Sequence, residues 1–185
     1  GSGPRAARAR EAGRHERPSA AVIDSQSVKT SEGGEERGVD VHKQTPGRKR
    51  HLVVDVLGLV LLVVVHSASI QDGAGGLLTL QKLFDHIKHN LHNRWCRLKL
   101  IWADGGYPSI IDTVRQRFGW TLQIVKRSDD VKGFQVLSHR WVVERTFGWL
   151  GRYRRLARDY EHTTLSSESM VYIASSRRML KMLAT

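Results

Sequence analysis

Along the chain, apolar positions fall into two kinds of run. Short runs dense in Val, Ile and Leu alternate with longer stretches in which apolar residues recur every three or four places. Ala20-Ala21-Val22-Ile23 is the first short run and ends on Asp24. His51-Leu52-Val53-Val54-Asp55-Val56-Leu57 predicts a strand, Gly58 a turn, and Leu59 to Ser67 a returning strand. These make the first part of the chain an antiparallel meander. From Asp72 to Leu91 the period becomes helical, with Leu77, Leu80, Leu83, Phe84, Ile87 and Leu91 forming one broad stripe. Leu98 to Ala103 predicts a strand that ends at Asp104 and is broken by Gly105-Gly106. Pro108 suits the first turn of a helix that Ile111, Val114 and Phe118 continue. Trp120 to Val125 reads as a further strand, and Val136 to Leu150 and Ser166 to Leu183 as two closing helices.

Between these runs, residues 30–49 are polar and carry Gly33-Gly34 and Pro46-Gly47, so they read as a loop. Residues 1–18 are arginine-rich and read as a basic, poorly ordered leader whose alanines and arginines permit a transient helix. The leader opens on Gly1-Ser2-Gly3 in place of an initiator Met, which reads as a tag scar or a cut from a longer chain. Residues 19–185 then form one domain, a size that supports a sizeable core. The element order is β-β-β-α-β-α-β-α-α. That order predicts an α/β, ribonuclease H-like fold: a mixed five-stranded sheet with helices on both faces.

Charge narrows the partners. Lys and Arg number 30 against 18 Asp and Glu, a formal net charge of +12. So large an excess in a compact fold points to a polyanion, nucleic acid first and an anionic membrane surface second. The longest apolar run, Leu57 to Val65, falls well below the ~18 residues needed to cross a bilayer, so no membrane partner is expected. Cys96 is the lone cysteine, which excludes an internal disulfide and a zinc motif; it reads as a partly buried structural thiol in a reducing compartment. No secretory signal is visible, so a cytoplasmic protein is expected, associated with the nucleoid if the polyanion is DNA.

Three carboxylates stand where metal-dependent phosphodiester chemistry needs them. Asp24 and Asp104 end predicted strands, and Glu144 sits on a predicted helix. Carboxylates brought together from separate elements can hold two hard cations. Each also has a plainer reading: Asp24 as a turn cap, Asp104 as part of a glycine turn, and Glu144 as an i, i+4 partner of Arg140. Asp55 and Asp72 are rivals, the first within an apolar strand and the second at a helix N-cap position. Arg140, Arg145, Arg152, Arg154, Arg155 and Arg158 crowd around and after Glu144, interleaved with Trp141, Phe147, Trp149, Tyr153 and Tyr160. Guanidinium forks bind phosphates and aromatics stack on bases, although Trp141 and Phe147 also fit a core. Lys43, Arg48, Lys49 and Arg50 form a second basic group beside the Gly-rich loop.

At these residues the chain resembles the catalytic domain of DDE transposases from bacterial insertion sequences, nearest to the insertion-sequence-five group of the insertion-sequence-four-like superfamily. Ala21-Val22-Ile23-Asp24-Ser25-Gln26-Ser27-Val28-Lys29 looks like the first-Asp motif, and residues 47–58 resemble the segment that follows it. Ile101-Trp102-Ala103-Asp104-Gly105-Gly106-Tyr107 looks like the second-Asp motif, and Arg140 through Leu150 like the Glu motif. The resemblance runs from about Ser19 to Leu183. It implies a ribonuclease H-like fold, with Asp24, Asp104 and Glu144 as catalytic and metal-binding residues. Two divalent ions, Mg2+ or Mn2+, would be the cofactors.

The implied partner is double-stranded DNA, both transposon ends and target, with a homo-oligomer on DNA as a further expectation. Arg48, Lys49, Arg140, Arg145, Arg152, Arg154 and Arg155 are the expected DNA-binding residues. Two places depart from the superfamily pattern. Leu137 stands where a Tyr is usual, and Gly151, followed by Arg152, where a Lys is usual. Members usually begin with a helical N-terminal region, which would precede this chain. The expected activity is therefore DNA cleavage and strand transfer by a freed 3′ hydroxyl. The alternatives are a non-catalytic DNA-binding remnant and a ribonuclease H-like nuclease unrelated to transposition.

Overall fold

The computed structural model describes residues 4–31, 33–89, 97–125 and 140–184. Cys96 and the expected helical start at Val136 lie outside the described residues. In chain order the elements are α1 (Pro4–Glu11), β1 (Ala20–Lys29), β2 (Gly38–Asp40), β3 (Thr45–Asp55), β4 (Val60–Ser67), α2 (Asp72–His89) and β5 (Leu100–Ala103). A 3-10 turn (Pro108–Ile110) then leads into α3 (Ile111–Phe118), followed by β6 (Thr121–Ile124), α4 (Trp141–Gly151), α5 (Arg154–Ala157) and α6 (Thr164–Leu183).

The five longer strands lie in the order β4-β3-β1-β5-β6, and the three-residue β2 pairs with the Thr45–Gly47 end of β3. The pairings β1–β3 and β3–β4 are antiparallel, whereas β1–β5 and β5–β6 are parallel. This is the mixed sheet of a ribonuclease H-like fold, with one short strand beyond the five expected. Alternation along the central strands separates two cores. Ala21, Ile23, Val53, Ile101 and Ala103 face α2 and α3, where Leu80, Leu83 and Val114 are fully buried. Val22, Leu52, Val54, Val63 and Val65 face α4 and α6, packing on Val143, Phe147, Leu150 and Val171.

The structure differs from the sequence reading in three places. β1 does not end at Asp24 but runs on to Lys29, paired residue by residue with β3 from Ala21↔Asp55 to Lys29↔Gly47. β3 begins at Thr45, inside the stretch read as a loop. The leader contains a helix, α1, whose Ala6 and Ala9 are buried and which packs against α6.

Asp55 is explained by the turn between β3 and β4. Its Oδ1 accepts the Leu57 and Leu59 N–H groups at 2.9 and 3.0 Å, and Gly58 takes the positive φ (81°) that the turn needs. α4 docks on this same turn. Thr146 Oγ1 donates to Gly58 O at 3.0 Å, and Arg145 Nη2 donates to Leu57 O at 3.1 Å.

Candidate active site

The site begins with strand register. In the parallel β1–β5 pair Val22 lies beside Trp102, so two residues further on Asp24 stands beside Asp104. Alternation sends both toward the face covered by α4. Asp24 Oδ1 accepts the Ser25 N–H at 2.7 Å, and Asp104 Oδ1 accepts the Gly106 N–H at 2.8 Å. Burial, opposed by the Ser25 hydrogen bond and reinforced by the neighbouring Asp104 charge, pushes the Asp24 carboxyl up to about 6. A Cβ at Gly106 would lie 3.1 Å from Asp104 Oδ1 and 3.2 Å from Asp72 Cβ, so glycine lets these two side chains close on the turn.

The third carboxylate arrives on α4. Val142, Val143, Thr146 and Phe147 are buried, which leaves Glu144 on the exposed side of the helix. Arg140 joins the set: its Nη2 lies 3.3 Å from Glu144 Oε1 and 3.9 Å from Asp104 Oδ2. Asp104 and Glu144 thus flank one guanidinium, and Asp104 adjoins Asp24. Among the described residues no three His, Cys, Asp or Glu side chains converge closely enough to hold one metal ion. The donor chemistry nonetheless fits hard cations. All three groups are carboxylates, and the Asp24–Asp104 pair carries a like-charge repulsion that a dication relieves. Arg140 stands between Asp104 and Glu144 as the local counter-charge.

Beside this pair lies a network that sequence reasoning missed. Lys49 is buried, with Nζ 2.9 Å from Asp72 Oδ1, 3.4 Å from Asp40 Oδ2 and 3.0 Å from Ile70 O. Ser25 Oγ donates to Asp72 and Ser27 Oγ to Asp40, so alternate residues of β1 are anchored directly after Asp24. Burial alone would raise Asp40, but the Ser27 hydroxyl, the Lys43 N–H and Lys49 bring it down to about 2. Asp72 is likewise held below its usual range, because hydrogen bonds from Lys49 and Ser25 outweigh burial. The signal in the sequence was the Ser25-Gln26-Ser27 alternation, which places two hydroxyls on one strand face. Tyr107 closes the floor; it is fully buried, and its hydroxyl lacks a well-formed hydrogen bond. Burial first, then the Asp24, Asp72 and Asp104 charges, push its phenol well above the ordinary range.

Behind Tyr107, His51 Nδ1 and His66 Nε2 share a hydrogen bond of 2.8 Å, with the rings stacked at 4.9 Å. A Cβ at Gly75 would run into both imidazoles, so the glycine admits them beneath α2. Burial holds both rings below the ordinary imidazole range, His51 at about 3. Unfolding therefore takes up protons at these sites, and the stability present above about pH 6.5 is lost as pH falls. Asp24 acts in the opposite sense between about 4 and 6, one group against two. The melting temperature is thus expected to fall between pH 7.5 and pH 5, by roughly 1 kcal/mol of stability per pH unit below 6. A melting temperature that is flat or rises toward pH 5 would contradict the buried neutral pair.

The basic residues divide between interior and surface. Arg48 and Lys49, expected on a DNA-binding surface, are inside the protein, as is Arg50. Arg48 donates to the carbonyls of Glu35, Glu161 and His162 and lies 3.5 Å from Asp159. Arg50 Nη1 donates to Leu156 O at 2.7 Å. These contacts tie β3 to the α5–α6 segment. Arg145 is stacked between Trp141 and Trp149, at 4.1 and 4.5 Å from the ring centres. Arg152, Arg154, Arg155 and Arg158 are exposed; Arg155 pairs with Glu161 at 2.8 Å and Arg158 donates to Thr30 O. Lys43 is exposed too, and near enough to Asp24 to favour its ionised form.

With this geometry in place, comparison with known proteins adds two findings. The model of the family described as transposase DDE domain matches residues 15–175. The chain is also 30% identical over 116 residues to a candidate transposase of insertion sequence element IS402 from Burkholderia cepacia. That alignment covers 63% of this chain and 54% of the relative, so the chain spans about half the length of the curated protein it resembles.

Proposed function

The chain belongs to the transposase DDE domain family, and from that premise we propose that it cuts and joins DNA for a bacterial insertion sequence, with Asp24, Asp104 and Glu144 as its acidic residues. The observation that carries this reading is the parallel register that sets Asp24 beside Asp104, with Glu144 linked to Asp104 through Arg140. The four sequence motifs support placement in the insertion-sequence-five group.

Asp24, Asp104 and Glu144 would hold two divalent cations, magnesium or manganese. When bound, such ions supply Lewis-acid charge at the phosphate and activate the attacking oxygen. The remaining work belongs to the chain itself. Arg140 and Lys43 offer charge to the phosphate beside the carboxylates, and the Ser25–Asp72–Lys49 network holds β1 in place after Asp24. Backbone N–H groups of Ser25 and Gly106 orient the two aspartates. The reaction is hydrolysis of a phosphodiester at the element's end, followed by in-line attack of the freed 3′ hydroxyl on target DNA. Such chemistry depends mainly on positioning and charge neutralisation. The substrate is double-stranded DNA of the nucleoid. Two ends need two sites, which favours a homo-oligomer on DNA. Among the described residues no helix is long and apolar enough to cross a membrane.

The test is removal of metal. A supercoiled plasmid is expected to be nicked in magnesium or manganese and left intact in EDTA, with binding retained in both. Pre-cut ends carrying a 3′ hydroxyl are expected to join to target DNA, which an unrelated nuclease would not do. A protein that binds DNA yet cuts in neither metal is the non-catalytic remnant, and the transposase reading would then be wrong.

A further inference from the structure

The floor of the acidic site holds a donor without a good acceptor. Tyr107 follows Asp104 by three residues, and its backbone N–H turns back to Asp104 O at 3.4 Å. The side chain is completely buried. Two neighbours fix the ring. His51 meets it edge to face at 6.0 Å, and Gly76 of α2 leaves the room it fills, since a Cβ there would run into the ring. Packing of this kind sets where the hydroxyl points and leaves it little freedom to turn away.

Among the described residues that hydroxyl has no well-formed hydrogen bond. The Ser25 hydroxyl is beside it but gives its own proton to Asp72 at 2.8 Å. The charges of Asp24, Asp72 and Asp104 act on it, Asp24 most strongly. Burial and these charges keep the phenol protonated, so it remains a donor throughout the working range. An unpaired buried donor lowers stability, and a Phe would fill the same space without that cost. A hydroxyl aimed at three carboxylates is therefore better explained by an acceptor that comes into line with it than by packing.

We infer that Tyr107 is a positioning residue for the acidic centre, its hydroxyl placed to donate to the Asp24 carboxylate when a divalent cation is bound. The inference rests on the metal-dependent reading above and adds to it a residue that touches neither cation nor DNA. Asp24 Oδ1 accepts the Ser25 N–H at 2.7 Å, and a carboxylate has lone pairs for a second donor. A cation shared by Asp24 and Asp104 would offset their repulsion and let both carboxylates settle in one arrangement. A phenol suits the task because it is neutral. It can orient Asp24 without cancelling the charge that holds the cation, as a lysine or arginine in its place would.

The experiment measures Mn2+ binding by isothermal titration calorimetry, and thermal melting without added metal, for the wild type, Tyr107→Phe and Tyr172→Phe. Tyr172 on α6 is the control, because its hydroxyl already accepts the Val63 N–H at 3.1 Å. Tyr107→Phe is expected to melt no lower than the wild type, since it removes only an unpaired polar atom. Its Mn2+ affinity is expected to fall about tenfold, the loss of one hydrogen bond to a charged group. Tyr172→Phe is expected to melt lower, with its Mn2+ affinity unchanged. A wild type that binds no Mn2+ would sink the metal reading itself. A wild type that binds Mn2+ no more tightly than Tyr107→Phe would overturn the role of Tyr107 alone. So would a Tyr107→Phe protein that melts below the wild type, because the hydroxyl would then serve the fold and not the cation site. An equal loss of Mn2+ affinity in Tyr172→Phe would do the same, since the loss would not be particular to Tyr107.

Discussion

Asp104→Asn is expected to lower magnesium-dependent DNA cleavage by about a thousandfold or more, while duplex affinity stays the same or rises slightly. The amide matches the carboxylate in shape and can still accept the Gly106 N–H, so the turn after β5 should survive. It supplies no negative charge with which to hold a hard dication, and a thousandfold corresponds to about 4 kcal/mol of transition-state stabilisation. Arg140 loses a partner 3.9 Å away on a part-exposed pair, a contact that contributes little. Removing one negative group from a basic surface also eases the approach of phosphate. Asp24 should respond as well: its carboxyl is raised in part by the Asp104 charge, so its titration should move toward the usual range. A melting curve that matches the wild type makes the kinetic comparison meaningful. A folded Asp104→Asn protein that nicks plasmid at the wild-type rate in magnesium would remove Asp104 from the metal site, and the proposed mechanism with it.

Arg48→Met is expected to destabilise the fold by about 3–5 kcal/mol without altering the DNA affinity of the molecules that remain folded. The side chain is completely buried, and its donors meet the carbonyls of Glu35, Glu161 and His162 with Asp159 alongside. Methionine fills much of the space but leaves the carbonyls and part of the Asp159 charge without a partner in the interior. In a domain of this size, that loss corresponds to a fall in melting temperature of roughly 10 °C. Arg152→Met, at an exposed position of the same charge, should change stability by less than about 0.5 kcal/mol. Arg48→Met within about 1 kcal/mol of the wild type would mean that water reaches those carbonyls. Lost DNA binding by a fully folded Arg48→Met protein would restore Arg48 to the binding surface.

The contrast between Arg48 and Arg152 shows what was legible in the sequence. Element order, the α2 stripe, the β3–β4 turn at Gly58 and the strand ending at Asp104 are local patterns, and the structure keeps them. Asp24 was chosen by motif and placed at a strand end, yet β1 continues for five residues beyond it. The extension is polar, and only its pairing with β3 and the Ser25 and Ser27 hydroxyl bonds keep it extended. Arg48-Lys49-Arg50 looked like a solvated basic patch because the groups that neutralise and cap it are distant in sequence. Asp159 lies more than a hundred residues away, and Asp72 sits on the next helix. Periodicity reports which face is buried, but not that a charged residue will meet its counter-charge there. The α1 helix was hidden for a similar reason. Its buried positions are alanines, which carry almost no hydropathy signal, and it packs on α6 from the other end of the chain.

The parallel pairing of β1 with β5 also sets an order of events at the ribosome. Eighty residues separate Asp24 from Asp104, and forty more separate Asp104 from Glu144. The antiparallel β1–β3–β4 ribbon can form as soon as it emerges, but β5 can join only after α2 has been made and has crossed over the sheet. At about 5–20 residues per second, the first aspartate waits several seconds for the second and longer for the glutamate. A nascent or prematurely terminated chain thus lacks an assembled acidic centre, and it also lacks the exposed Arg152, Arg154 and Arg155. The three carboxylates and the exposed arginines beside them would be complete together, only once α4 and the residues after it have been released.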